Sequence, residues 1–115
     1  MSEQPDEAEV AFHLLLDRDE VPVTGSALRL LISDEAHEQQ IRGLARAVLS
    51  ELDAPPEEHG ITSVALTAEQ MKITHAAVRL LLNDLQRGQA QEIHILQAIL
   101  AKLPDEHTMR AISLD

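Results

Sequence analysis

The chain has 115 residues, a single aromatic residue, no cysteine and a formal net charge of −11. This length suits one domain with its own hydrophobic core, and the lack of cysteine excludes a disulfide framework, a zinc–cysteine site and thiolate chemistry. The first residues do not form a basic region followed by an apolar stretch, and no apolar run could span a bilayer, so we expect a cytoplasmic protein without a signal peptide.

The first predicted element is a strand over residues 9–16. Large apolar residues at Val10, Phe12, Leu14 and Leu16 alternate with Ala11, His13 and Leu15. Because side chains in a strand point to opposite faces in turn, this pattern predicts one buried face and one outward face.

A helix is predicted after this strand. Asp17 and Glu20 have the spacing of a capping box, in which each side chain bonds to the backbone N–H of the other residue. Pro22 would break the interior of a helix that began at Asp17. We therefore expect residues 17–21 to form a turn, with the helix beginning at Pro22 or two residues later and ending at Ser33.

The next predicted helix is amphipathic, with apolar residues at the 0, 3, 4, 7 and 11 spacing of one helix face. The members of this stripe are Ile41, Leu44, Ala45, Val48 and Leu52. Glu38 and Arg42 are placed for an i, i+4 ion pair on the solvent side. The adjacent Pro55 and Pro56 end the first half of the chain.

The second half repeats this order. A β-branched strand over residues 61–66 precedes a helix capped by Thr67 and Gln70 that we expect to run to about residue 86. A second amphipathic helix ends before Pro104, and the sequence leaves open whether Arg87-Gly88 separates it from the first or lies within one longer helix. Its core stripe consists of Ile93, Leu96, Leu100 and Leu103. A third short strand is predicted over residues 111–114.

The two halves match when the sequence is shifted by 50 residues, with seven of 22 positions identical between residues 13–34 and 63–84. Such self-similarity indicates an internal repeat, here over about residues 9–59 and 61–107. We therefore predict a single domain of the α+β class, dominated by helices. Two tandem strand-helix-helix units would pack with pseudo-two-fold symmetry, giving four helices and two or three short strands.

Arg29 and Arg79 occupy equivalent positions inside apolar runs, and each precedes an acid by five residues. This spacing is wrong for an ion pair on one helix face, but pseudo-two-fold packing would bring Arg29 to Asp84 and Arg79 to Asp34. An arginine set against apolar surface needs such a partner, unless its stem lies on the surface and its guanidinium stays in water.

The predicted second helix of the second half has more apolar surface than one core needs, since Ile95 and Ile99 lie beyond its stripe. A second copy of the chain would bury this surface. We therefore expect a homodimer with Ile95 and Ile99 at its interface, and another protein is the alternative occupant.

The only residues with the spacing of a metal site are Asp34 and His37, an i, i+3 pair of the kind that helical metal sites use, with His94 on the matching helix. A solvated acidic helix start beside a surface histidine explains the same residues. We therefore expect no metal and no cofactor, and keep Asp34, His37 and His94 as candidate ligands.

No nucleophile motif or phosphate-binding glycine loop is present, so we expect no enzymatic activity. The predicted function is a non-catalytic protein-interaction or regulatory module. One alternative is a small-molecule or metal site in the groove between the repeats. Another is an acidic mimic that binds a basic protein surface through residues 1–60, which hold 14 acids and four bases. The same acidity repels a phosphate backbone, so we expect no binding of nucleic acid.

Overall fold

The computed structural model describes residues 10–33, 38–53, 60–85 and 89–112. The elements in chain order are β1 (Phe12–Leu16), α1 (Glu20–Ser33), α2 (Gln39–Glu51), β2 (Thr62–Leu66), α3 (Ala68–Asp84), α4 (Ala90–Lys102) and α5 (Glu106–Arg110). This confirms the helix-dominated α+β class. Within the described ranges there are five helices, one more than predicted, and no helix is long and apolar enough to cross a bilayer.

The two strands form an antiparallel ribbon in which Leu14 lies opposite Val64. Every second side chain, including Leu14, Leu16, Val64 and Leu66, is buried against the helices. The alternation in the sequence produces this arrangement because a strand turns successive side chains to opposite faces. The first two predicted strands are confirmed, and each half of the chain supplies one of them.

The prediction of a third strand over residues 111–114 is wrong for the two residues of it that the structure describes. Ala111 lies in the turn that ends α5, where its N–H donates to the carbonyl of Thr108, and Ile112 belongs to no strand. The missed helix α5 is capped by Asp105, whose carboxylate accepts from the backbone N–H of Thr108 at 2.9 Å. Asp-x-x-Thr after a proline is an N-cap pattern that was visible in the sequence. The last residues of the predicted strand lie outside the described ranges.

The predicted helix starts are close to those observed. Thr67 and Gln70 form a complete capping box, with N···O distances of 3.0 and 3.1 Å. In the first half, the backbone N–H of Asp17 donates to Glu20 Oε1 at 2.8 Å. Helix α1 begins at Glu20, two residues before the predicted start, because Pro22 lies in the first turn. The backbone N–H groups of the first turn have no acceptor within the helix, so proline removes no helical hydrogen bond there.

Removal of the Thr67 hydroxyl tests this cap. We expect Thr67→Ala to lower the free energy of unfolding by about 1 kcal/mol, since the N–H of Gln70 loses its acceptor. Urea unfolding followed by circular dichroism measures the change. Ser26→Ala, at an exposed site within α1, is the control and should leave stability unchanged or slightly raised. Equal effects of the two substitutions would contradict the role of the cap.

The helices enclose one continuous core. Helix α1 packs against α3, and the outer helices α2 and α4 each contact both of these inner helices. The largest fully buried apolar side chains are Leu14, Leu16, Leu28, Leu31, Val48, Val64, Leu66, Val78, Leu96 and Ile99. Since these residues come from both halves, neither half contains a separate core.

The amphipathic stripe of α2 is confirmed at its centre, where Ala45 and Val48 are buried. The ion pair predicted between Glu38 and Arg42 is not formed among the described residues. Instead, Arg42 is partly buried, and its Nε atom has no hydrogen-bond partner. The sequence left open whether the last two long helices are separate or continuous; α3 ends at Asp84 and α4 starts at Ala90, so they are separate. Arg87-Gly88 itself lies outside the described ranges.

Candidate functional site

The negative charge of the chain lies largely outside the described ranges. The described ranges hold 11 of the 20 acids and eight of the nine bases, a net charge of −3. The remaining segments therefore hold nine acids and one base, and four of those acids lie in residues 1–9. The described ranges thus carry a nearly balanced charge.

The arginines at equivalent positions have different surroundings. Arg79 bonds through Nη1 to Glu106 Oε1 of α5 at 3.0 Å, and no ion pair joins Arg29 to Asp84 in the described ranges, where both are exposed. Asp34, the other predicted partner, lies outside those ranges. The predicted pairing of Arg29 with Asp84 is therefore wrong, and the acid at Arg79 comes from a helix that the sequence interpretation missed.

The two isoleucines assigned to a dimer interface separate in the structure. Ile99 is fully buried in the core, whereas Ile95 is partly buried and packs against the core. A side chain with no exposed area cannot contact a second copy of the chain. The reason is that α4 contacts both α1 and α3, so its buried face is wider than a single stripe.

Two of the three candidate metal ligands lie outside the residues that the structure describes. Asp34 and His37 lie outside the described ranges, and His94 is exposed on α4. Within the described part of the chain, no group of three histidine or carboxylate side chains could hold a metal ion.

His75 is the one histidine of the described residues that is buried, at 8 % exposure. It lies on α3 one turn before Arg79, beside an open cleft of about 360 Å³ that Glu106 also lines. Burial, followed by the nearby Arg79 guanidinium, holds the pKa of His75 below its usual range, and the Glu106 carboxylate only partly opposes this. The imidazole therefore stays neutral at neutral pH.

This burial predicts a pH dependence of stability. Because the folded protein holds the pKa of His75 below the 6.5 of an unperturbed histidine, the unfolded chain binds more protons as the pH falls below about 7. We expect the free energy of unfolding to decrease from pH 7.5 to 5. Chemical unfolding at several pH values should show a smaller decrease for His75→Gln. His94→Gln, an exposed control, should behave as the parent, and an unchanged slope in His75→Gln would refute the assignment.

The groove between the two halves is open at the C-terminal ends of α1 and α3. It has a volume of about 300 Å³ and is lined by Leu30, Ser33, Leu80, Asn83 and Asp84. These described residues supply one carboxylate and two short polar side chains.

The outward face of the ribbon exposes one large hydrophobic side chain in the part of the chain that the structure describes. It consists of His13 and Leu15 on β1 and their cross-strand neighbours Ala65 and Ser63 on β2, and we call it the ribbon face. Leu15 is 52 % exposed and Val10, just before β1, is 46 % exposed; they are the exposed large hydrophobic residues of the described ranges. The ribbon face carries no lysine, arginine or carboxylate.

A cleft of about 380 Å³ adjoins Leu15, lined by His13, Leu14, Leu15, Asp17, Ile61 and Lys102. Lys102, the last residue of α4, donates through Nζ to the Leu15 carbonyl at 3.0 Å and to Glu20 Oε1 at 2.5 Å. Glu20 is buried and also accepts the N–H of Asp17. This network fixes the end of α4 against the β1–α1 junction.

The sequence contained a signal for this surface that was not used. The alternation in residues 9–16 places Leu15 on the face opposite Leu14 and Leu16, so a leucine was already assigned to the outward face. The partners of Lys102 had no such signal, because they lie 82 and 87 residues away in the chain.

Comparisons with known proteins give no further assignment: no protein-family model, no curated protein and no solved structure matches this chain.

Proposed function

We propose that this protein is a non-catalytic protein-interaction module and that its contact surface is the ribbon face. The observation that carries the proposal is the half-exposed Leu15, which stands on a face without charged residues and beside a cleft that Leu14 and Ile61 help to line. An exposed leucine alone is ordinary. Here it lies on a short ribbon that the core holds rigidly from behind, which makes it a defined anchor for a partner.

The internal repeat is part of this proposal. The central pair of the ribbon joins Leu14 to Val64, residues that are 50 positions apart, and 50 is also the shift that aligns the two halves. The helix contacts correspond in the same way, since α2 contacts α3 and α4 contacts α1. A pseudo-two-fold axis through the centre of the ribbon accounts for both facts, and it would place the ribbon face across that axis.

The chemistry of the ribbon face favours protein over nucleic acid. Two-stranded ribbons can enter a groove of DNA and read its bases, but such contacts need cations for the phosphates and donors for base edges. The ribbon face offers His13, Leu15, Ser63 and Ala65 on a chain with a net charge of −11.

The test begins with solution mass by light scattering across a concentration series for the parent, Leu15→Ser and Ile95→Ser. A mass above the monomer that falls in Leu15→Ser would mean that a second copy occupies the ribbon face. A fall confined to Ile95→Ser would instead support the dimer predicted from α4. A monomer in every case leaves a different protein as the partner.

In that case the same three proteins are immobilised to capture partners from a lysate of the source cells. We expect proteins that the parent and Ile95→Ser retain and that Leu15→Ser loses. If all three retain the same proteins, and their masses are also equal, the ribbon face is not the contact surface.

A further inference from the structure

The open cleft between α3 and α5 brings together polar side chains whose hydrogen-bonding groups are only partly used, and we call it the α3–α5 cleft. We propose that it binds a small organic carboxylate, which Arg79 and His75 hold through hydrogen bonds while its apolar body lies against Leu80. The α3–α5 cleft shares no residue with the ribbon face, so this site is independent of the proposed function.

The buried histidine of the cleft has no partner in the protein. His75 is 8 % exposed and lines the α3–α5 cleft, and its ring makes no hydrogen bond to any described residue. A buried polar group left unpaired costs free energy, so the partner of His75 must come from solvent or from a ligand in the cleft. Burial keeps the imidazole neutral by holding its pKa low, and a neutral imidazole has an N–H that can donate to a carboxylate.

The guanidinium of Arg79 is also only partly engaged. Of its five N–H donors, one is used in the described structure, by the bond from Nη1 to Glu106 Oε1 at 3.0 Å. The other oxygen of Glu106 accepts from Arg110 Nη2 at 3.2 Å, so that one carboxylate serves two guanidinium groups. Because the Arg79 side chain is 46 % exposed, a second carboxylate can reach its remaining donors, whose planar arrangement suits two parallel bonds.

The first half of the chain carries the same arginine without this arrangement. The shift of 50 residues aligns Arg79 with Arg29 and His75 with Gly25. Arg29 lies over Gly25, where an added Cβ would meet its Nη1 atom at 3.3 Å. In α1 the arginine therefore covers the position from which an imidazole projects in α3. Arg29 thus provides a matched control for Arg79.

The lining of the cleft limits the size and charge of the ligand. Its volume of about 360 Å³ is at the small end of the range for ligand sites. Ala76 and Leu80 give it an apolar part, and the Asn83 amide can both donate and accept. Glu106 is the acid of this lining and competes with an added carboxylate for Arg79. A compact monocarboxylate suits these groups better than an ion with several negative charges.

Benzoate is the probe for this site, and benzamide, which has a similar shape without the charge, is its control. Each is titrated at neutral pH into the isotope-labelled full chain, and chemical shifts of the amides and histidine rings are recorded. We expect benzoate to bind saturably in the millimolar range, because the cleft is open, with the largest shifts at His75, Ala76 and Arg79. Benzamide should bind at least about tenfold more weakly, since it makes no charge-assisted bond.

Two variants remove the groups that would hold the carboxylate. Arg79→Gln and His75→Leu should each weaken benzoate at least about fivefold. Leucine is apolar and favours helix, so His75→Leu should keep the fold, which circular dichroism checks. Arg29→Gln removes the same charge from the equivalent position of α1 and should bind benzoate as the parent does.

A third variant tests whether Glu106 competes with the ligand. Glu106→Gln should bind benzoate more tightly, because it removes the acid that shares Arg79, and should leave the binding of benzamide unchanged. Loss of the ion pair itself should cost little stability, since both side chains are about half exposed.

Four results would overturn the proposal. They are absence of saturable binding, equal binding of benzamide, unchanged binding to Arg79→Gln or His75→Leu, and weaker binding to Glu106→Gln. Equal weakening by Arg29→Gln, or shifts spread over the whole surface, would show general attraction of the anion and overturn it as well. None of these results bears on the proposed function, which is tested by Leu15→Ser.

Discussion

Replacement of Ile99 by alanine is expected to lower the free energy of unfolding by about 3 kcal/mol. Ile99 is fully buried between the helices, and truncation of such a residue loses both its burial and its packing. Urea unfolding measures the change. Ile95→Ala, on the same helix but partly buried, should lose about 1 kcal/mol, in proportion to its smaller buried area.

These two variants also separate a core residue from an interface residue. If Ile99 belonged to a dimer interface, Ile99→Ala would lower the solution mass and make stability depend less on protein concentration. We expect the stability lost in Ile99→Ala to be the same at every protein concentration, and the solution mass to stay unchanged. A stable Ile99→Ala protein with a reduced mass would restore Ile99 to the interface and contradict its burial in the chain.

Replacement of Lys102 by alanine is expected to lower the free energy of unfolding by about 2 kcal/mol. The Glu20 side chain is 7 % exposed and would lose its counter-ion, and a buried charge left without its partner is strongly destabilising. The loss should be smaller than for a fully buried pair, because Lys102 is 35 % exposed. The Leu15 carbonyl would lose a donor as well.

Glu20→Gln provides the control for this prediction. In the second half Gln70 makes the equivalent bond to the N–H of Thr67 without a charge, so glutamine at position 20 can keep the bond to Asp17. The double variant Lys102→Ala with Glu20→Gln should be less destabilised than the sum of the single variants, because it removes both charges together. Additive losses in urea unfolding would show that the two charges do not interact.

Local patterns in the sequence predicted the helices and strands. The ion-pair partners and the burial of individual side chains depend on long-range contacts and could not be predicted. The alternation around Leu14 and the cap at Thr67 act within a few residues, so they were readable. The partner of Arg79 is Glu106, 27 residues away, and its place on α5 depends on how that short helix packs. A helical periodicity likewise shows that Ile99 is apolar, but whether it faces the core or a partner depends on how α4 crosses α1 and α3.

The candidate site shows the same division. The position of Leu15 on the outward face follows from strand periodicity, whereas the cleft beside it requires Ile61 and Lys102, which come from other parts of the chain. Asp34 and His37 could be paired by spacing alone, but spacing cannot supply a third ligand from a distant helix. Sites assembled from several elements are therefore the part of this protein that its sequence describes least.

The pairing of β1 with β2 has a consequence for how the chain folds. Leu14 and Val64 are 50 residues apart, so the ribbon cannot form as a local hairpin and must close a long loop first, with an entropy loss that local contacts do not offset. Either half alone would leave its strand without a neighbour and its helices without a core. We therefore expect the helices to form before the ribbon, so that the surface proposed for binding is completed only when the whole chain has come together.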